Sequence, residues 1–165
     1  MLYLEAAREV LAAFPKIKFH LLGEGSLVSR IRIFIDSNNL GERINFQFHK
    51  NPPEIFSGTS IFVSLQTGTN YPSQSVIEAM ACCNAVIASD VGDTKLLVNE
   101  NNGLLIGLNK DELVSAIKKF IDQPAFVETL GKSGREFVMK NHTIEKASEY
   151  YINLFEKAHK KVFIS

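Results

Sequence analysis

Apolar and polar positions alternate along this chain in two rhythms, one helical and one extended, and they change places in a regular order. Leu2, Leu4, Ala6, Ala7, Val10, Leu11 and Phe14 recur at three- and four-residue steps and stop before Pro15, which predicts an opening helix. Lys18 to Leu22 then reads as a short apolar strand closed by Gly23-Glu24-Gly25. Ser26 is placed to cap a helix whose apolar side carries Leu27, Ile31, Phe34 and Ile35 and which ends near Asn38-Asn39. Arg43 to Phe48 is the next strand, Pro52-Pro53 introduces a helical turn over Glu54 to Ser57, and Ser60 to Leu65 is a third strand. A polar loop follows, and Pro72 and Ser73 open a helix containing Glu78. Ala85 to Ser89 is a fourth strand, Lys95 to Val98 one helical turn, and Gly103 to Ile106 a last short strand.

Beyond that point the pattern is helical throughout. Asn109 caps a helix over Asp111 to Ile121, a second runs from about Pro124 to Lys140, and a third from about Thr143 to Lys160. In the last of these Ile144, Ala147, Tyr151, Leu154 and Ala158 form an apolar stripe, the mark of core or interdomain surface. Strands alternating with helices indicate an α/β fold with a Rossmann-like, doubly wound parallel sheet, and residues 1–165 read as a single domain.

Composition narrows the classes without choosing among them. Lysine plus arginine equals aspartate plus glutamate at 18 each, so the basic excess of a sequence-independent nucleic-acid binder is missing. The longest apolar runs fall far short of a membrane span, and no leader precedes the first helix. Cys82 and Cys83 are adjacent, which disfavours a bridge between them, and they read as buried small residues of a reduced, cytoplasmic protein. His20, His49, His142 and His159 show no metal-ligand spacing. A receiver or flavin-binding domain is disfavoured, because the first strand is followed by no acidic cluster and the chain carries no phosphate loop of that kind.

The candidate chemistry gathers where strand Ser60 to Leu65 passes into the helix holding Glu78. Uncommitted N–H groups at Ser73, Gln74 and Ser75 favour an anion, and a carboxylate at Glu78 suits a pair of ligand hydroxyls. Capping by Ser73 and a solvent-facing Glu78 are the plain alternatives. Gly23 and Gly25 let backbone approach a ligand closely or simply make a turn. Asn70 and Tyr71 either touch the ligand or pack, and Lys50 and Asn51 either meet a base or form a solvated loop.

Laid end to end, Phe19-His-Leu-Leu-Gly-Glu-Gly25, Arg43-Ile-Asn-Phe46, Ile61-Phe-Val-Ser64, Glu78-Ala-Met-Ala-Cys82, Ala85-Val-Ile-Ala-Ser-Asp-Val-Gly92 and Asn102-Gly-Leu-Leu-Ile106 carry a family resemblance. The chain resembles the carboxyl-terminal, nucleotide-sugar donor-binding domain of family 4 retaining glycosyltransferases of GT-B fold. That resemblance implies transfer of a hexosyl group from a nucleoside diphosphate sugar, UDP- or GDP-linked, to a hydroxyl of a glycan or lipid-linked acceptor. It implies no metal, Glu78 on the ribose, and donor contacts from Ser73, Gln74, Ser75, Asn70, Tyr71, Gly23, Gly25, Lys50 and Asn51. A cytoplasmic location, at the inner membrane face for lipid-linked acceptors, also follows from the resemblance, though Lys157, Lys160 and Lys161 are few for a membrane surface.

Two positions depart from the family pattern. Asn70 stands where the family has the first of two glutamates, so no catalytic residue is assigned, and apolar Leu96 stands near a commonly acidic position. The resemblance further implies that a first, central strand, a basic pair that grips the diphosphate and an amino-terminal acceptor domain lie outside this chain. The chain alone is then expected to bind nucleotide weakly and transfer nothing, or to serve as a noncatalytic domain paired with another chain. Without that strand, the strands at Lys18 and Ser60 are expected to close up or two chains to exchange segments, rather than the tail Val162 to Ser165 filling the gap.

Overall fold

The structure is a computed structural model that describes the backbone of residues 1–163 and the side chains of residues 1–159. In chain order it runs α1 (Leu2–Ala13), β1 (Phe19–Leu22), α2 (Val28–Ser37), β2 (Ile44–Gln47), α3 (Pro52–Phe56), β3 (Ile61–Ser64), α4 (Gln74–Ala81), β4 (Ala85–Ser89), a 3-10 turn (Thr94–Leu96), β5 (Gly103–Ile106), α5 (Lys110–Asp122), α6 (Pro124–Asn141) and α7 (Ile144–Phe163). All strand pairs are parallel, as the alternation of strands and helices predicts.

The sheet is divided. β1 pairs with β2, Phe19 opposite Ile44, while β3, β4 and β5 form a separate three-stranded sheet with Ile61 opposite Ala85 and Val86 opposite Gly103. A common core nevertheless spans both parts, drawing in Phe19 and Ile44 from the first, Ala85, Ile87 and Ile106 from the second, and the buried faces of α1 and α5. On the opposite face of β4, Val86 and Ala88 pack with Val76 and Met80 of α4, Leu97, Val98 and Val138 of α6. The two-residue period of a strand thus sends Ala85 and Ile87 to one layer and Val86 and Ala88 to the other. Every residue of β4 is buried. Each large side chain there is worth about 1.5–3 kcal/mol relative to exposure. That two-sided burial is why Ala85 to Ser89 reads as an unbroken small and apolar run.

Several sequence expectations change. Ser26 does not cap α2: the helix starts at Val28 without a side-chain cap, and Val28 N–H donates to the Gly25 carbonyl. The short helix expected over Glu54 to Ser57 begins two residues earlier, because Pro52 and Pro53 have no N–H to lose in a first turn. Cys83 is exposed rather than buried and Cys82 is half-buried. Cys83 closes α4 in the left-handed region, φ 62°, with its N–H on the Met80 carbonyl and the Asn84 N–H on the Ala79 carbonyl. That geometry turns its side chain out of the core.

The apolar stripe of α7 is not core. Ile144 is 83% exposed, and Ala147, Tyr151, Leu154 and Ala158 are exposed too. Nor do β1 and β3 close up, since each keeps its hydrogen bonds for a single partner. As for the tail, Val162 and Phe163 continue α7, and Ile164 and Ser165 lie outside the described residues.

Candidate functional site

Because the strands within each sheet are parallel, the loops that follow them leave that sheet at one edge, and the predicted site residues lie in these loops and in the first two turns of α4. At the site's centre is the passage from β3 to α4. Ser89 of β4 fixes the exit of β3: its hydroxyl accepts from the Gln66 N–H and donates to the Gln66 carbonyl, both at 2.8 Å. Ser89 was not singled out from the sequence, although a lone hydroxyl ending an otherwise apolar, buried strand was its signal. Gly92, at φ 52°, lies against Thr69, and a Cβ there would overlap the Thr69 hydroxyl. The two loops therefore interlock across β3 and β4, and glycine at 92 is favoured both by its backbone angle and by the closeness of Thr69.

The loop then crosses a cis Tyr71–Pro72 bond and enters α4 at Ser73, which is buried, with 5% of its surface exposed. Ser73 does not cap the helix through its side chain; its hydroxyl lies 3.3 Å from that of Ser75. The first intrahelical bond is Ile77 N–H to the Ser73 carbonyl, so the first-turn N–H groups at Gln74, Ser75 and Val76 stand ahead of the ladder. One turn on, Glu78 is half-buried, and Gln74 Nε2 donates to its Oε1 at 2.9 Å. A carboxylate held in this way retains a second oxygen and further lone pairs for a ligand.

The other end of α4 is anchored more deeply. The fully buried Asn84 side chain donates to the carbonyls of Phe56 and Ala79 at 2.9 and 3.2 Å and accepts from the Thr59 hydroxyl at 2.7 Å. The Arg135 guanidinium donates to the Ala81 carbonyl. Burial raises the Cys82 thiol above its ordinary pKa, opposing a reactive thiolate.

The remaining predicted residues lie in the loops after β1, β2 and β3. Gly23 and Gly25 follow β1 at φ 150° and 131°, and nothing lies within 4 Å of where a Cβ would stand on either. Asn70 and Tyr71 are exposed on the loop before α4. Lys50 is exposed beyond β2. Asn51 is engaged locally: its side chain donates to Glu54 Oε1 at 2.7 Å, and its N–H donates to His49 Nδ1 at 3.2 Å. Two hollows in the molecule, of about 420 Å³ beside Arg32, Asp36 and Arg43 and of about 610 Å³ beside Ile17, Ser60 and Phe120, both lie away from these loops. The α4 site is an open shelf. Among the described residues, no group of three or more His, Cys, Asp or Glu is arranged to hold a metal.

Comparison with known proteins adds to this geometry. The model of the family described as Glycosyl transferases group 1 matches residues 2–137. A poly(ribitol-phosphate) alpha-N-acetylglucosaminyltransferase of Staphylococcus aureus is 26% identical over 159 residues, covering 93% of this chain and 32% of that protein. The chain thus spans about a third of the length of the curated relatives it matches. The fold matches the crystal structure of Anabaena Alr3699/HepE in complex with UDP, with a TM-score of 0.85 at 18% identity, over 94% of this chain and 44% of that one. It also matches the C-terminal domain of a glycosyl transferase group 1 family protein, LpcC, from Francisella tularensis. There the TM-score is 0.75 at 21% identity, over 87% of this chain and 78% of that one.

Proposed function

From the premise that the chain belongs to the group 1 glycosyl transferases, we propose that its α4 shelf is the donor half of a sugar-transfer site. The observation that carries this reading is the pairing, on one short helix, of an uncapped first turn with a Gln74-held carboxylate one turn later. The substrate is a nucleoside diphosphate sugar, UDP- or GDP-linked. Glu78 accepts hydrogen bonds from the two ribose hydroxyls. The first-turn N–H groups from Gln74 onward, strengthened by the helix dipole, face the diphosphate.

The chemistry asked of these groups is electrostatic. As the bond between the anomeric carbon and the phosphate oxygen breaks, negative charge collects on the leaving diphosphate, and fixed N–H donors stabilise it more than they stabilise the ground state. We assign no nucleophile or base, since Asn70 is uncharged. Retention at the anomeric carbon, a hydroxyl acceptor and independence of metal complete the reading. Acceptor binding belongs to a lobe beyond these residues, supplied in cis or by another chain. The 165 residues alone then bind nucleotide weakly and do not turn over. The divided sheet favours one second reading, a noncatalytic domain that works by pairing with another chain.

A thermal melt with UDP, GDP, ADP and their sugars tests the donor reading. Nucleotide at about 100 times its dissociation constant adds roughly 2.7 kcal/mol, about 5–10 °C for a chain of this size. One nucleotide should raise the melt and Glu78→Ala should abolish that rise. A cooperative melt indifferent to every nucleotide would sink the donor reading and leave the pairing one.

A further inference from the structure

Two thiols stand together at the end of α4, and the fold treats them differently. Cys82 is half-buried, and its Sγ donates to the Pro53 carbonyl at 3.8 Å. Burial, opposed by the Arg135 charge, keeps that thiol protonated above its ordinary pKa. Cys83 is exposed. Its φ of 62° carries a backbone strain that glycine would avoid, and it sets a sulfur at the surface where glycine would leave none.

The surroundings of Cys83 suit a small polar group. Both cysteines border the hollow of about 610 Å³, a volume within the range of about 300–1,000 Å³ typical of small-molecule sites. Phe120, Ile121 and Val127 give it an apolar wall, and Glu128 and Lys132 of α6 bring one charge of each sign to it. Lys132 Nζ donates to Glu128 Oε1 at 2.5 Å, with both side chains exposed. That bond chiefly, and a charge at Cys83 to a lesser degree, raise the Lys132 ammonium above its usual pKa, so the cation stands within electrostatic reach of Cys83. An exposed ion pair of this kind is weak and opens to another partner.

A mixed disulfide formed beside a second thiol commonly closes to an internal bridge. Here the fold opposes that closure. The Cα atoms of adjacent residues lie about 3.8 Å apart, short of the roughly 4.4–6.8 Å that a disulfide spans. Nor is the backbone free to rearrange. The Cys83 N–H is held by the Met80 carbonyl, the Cys83 carbonyl lies against Gly131 of α6, and the buried Asn84 side chain donates to the Phe56 and Ala79 carbonyls.

We propose that Cys83 is a thiolation site for a small zwitterionic peptide disulfide of the glutathione type, with the adduct seated over the Glu128–Lys132 pair and left unresolved by Cys82. The Cys83 thiolate attacks one sulfur of the incoming disulfide. That S–S bond breaks, a new one forms to Cys83, and the other half leaves as a thiolate that takes up the proton Cys83 gave to solvent. Selectivity for a zwitterion follows from a rim that carries both signs of charge. The inference stands independently of sugar transfer.

Intact-mass spectrometry of the 165-residue chain with oxidised glutathione tests it, with cystamine, which is purely cationic, as the second probe. The folded chain should gain one glutathionyl group, mapped to Cys83 by peptide digestion. Cys82→Ser should gain it at the wild-type rate, and Cys83→Ser should be slowed at least ~20-fold. In urea both cysteines should react alike, which ties the selectivity to the fold. Lys132→Glu should slow oxidised glutathione at least ~5-fold and leave cystamine unslowed, separating charge recognition from plain access. Should Cys83→Ser fold poorly, Cys83→Gly removes the same thiol on a less strained backbone. No uptake by the folded chain, an adduct on Cys82 or on both thiols, or conversion of the adduct to an internal disulfide would each overturn the proposal. So would selectivity that survives in urea, or a Lys132→Glu chain that slows neither probe or both alike.

Discussion

The three-stranded and two-stranded parts of the sheet are made of similar four- and five-residue strands, yet they are supported differently. β4 is covered on both faces, by α1, α5 and the start of α6 on one side and by α4 and the end of α6 on the other. β1 and β2 send Phe19, Leu21, Ile44 and Phe46 into the shared core, while His20, Leu22, Asn45 and Gln47 on the other face join neither cluster. The Nδ1 of His20 is buried without a partner. The difference teaches where apolar cover is concentrated in this molecule: the helix that carries Glu78 rests on the doubly covered part, and the β1–β2 pair is covered on one face.

The sharpest attack on this contrast is at Gly131 of α6. A Cβ at that position would overlap the Cys83 carbonyl, which is backbone and cannot swing aside. Gly131→Val should cost at least about 3 kcal/mol, a fall of some 6–12 °C in the melt. Next comes a matched pair of truncations. Ile87→Ala on β4 should cost about 3–4 kcal/mol and Leu21→Ala on β1 about 1–2 kcal/mol, because only the first leaves a closed cavity. Equal losses in urea unfolding would erase the contrast.

A smaller effect runs in the other direction. Cys83 occupies the left-handed position after α4, which strains a side chain and suits glycine. Cys83→Gly should therefore stabilise by about 0.5–1 kcal/mol, once the extra freedom of the unfolded glycine is deducted. The smallest effect lies outside both sheets. Glu112 accepts from the Gly107 N–H and from Asn109 Nδ2, and these bonds hold its carboxyl below the usual range. A depressed folded pKa stabilises above the unfolded value near 4.3 and is lost as pH falls through the folded value. The melt of the wild type should therefore fall more steeply below pH 4.5 than that of Glu112→Gln.

Most of the architecture could be read in the apolar spacing, since both periods are carried by side chains that must be buried. Every predicted strand is present: β4 and β5 keep their predicted bounds, and β1, β2 and β3 lose one residue at one or both ends, where hydrogen bonding rather than hydropathy sets the limit. Ser26 misled because a capping residue is recognised by type, while capping depends on a backbone path that Gly25 sets instead. Cys83 misled because cysteine is usually buried, and the sequence does not announce a positive φ at a non-glycine. The places of Ser73 just before α4 and of Glu78 within it were legible from the order strand, loop, helix. The clasp between Ser89 and Gln66 was not, since it joins residues 23 positions apart. The stripe of α7 showed an apolar face without telling what covers it.

The pairing of α1 with α5 ties the start of the chain to a helix about a hundred residues later, and the Lys110–Glu9 ion pair marks the seam. During synthesis at about 5–20 residues per second, α1 emerges roughly 5–20 s before its seat exists. For that interval Leu4, Val10 and Leu11 have no α5 to cover them. α1 must therefore wait for a helix made nearly last in this core, and chaperones have a long hold on the nascent polypeptide there.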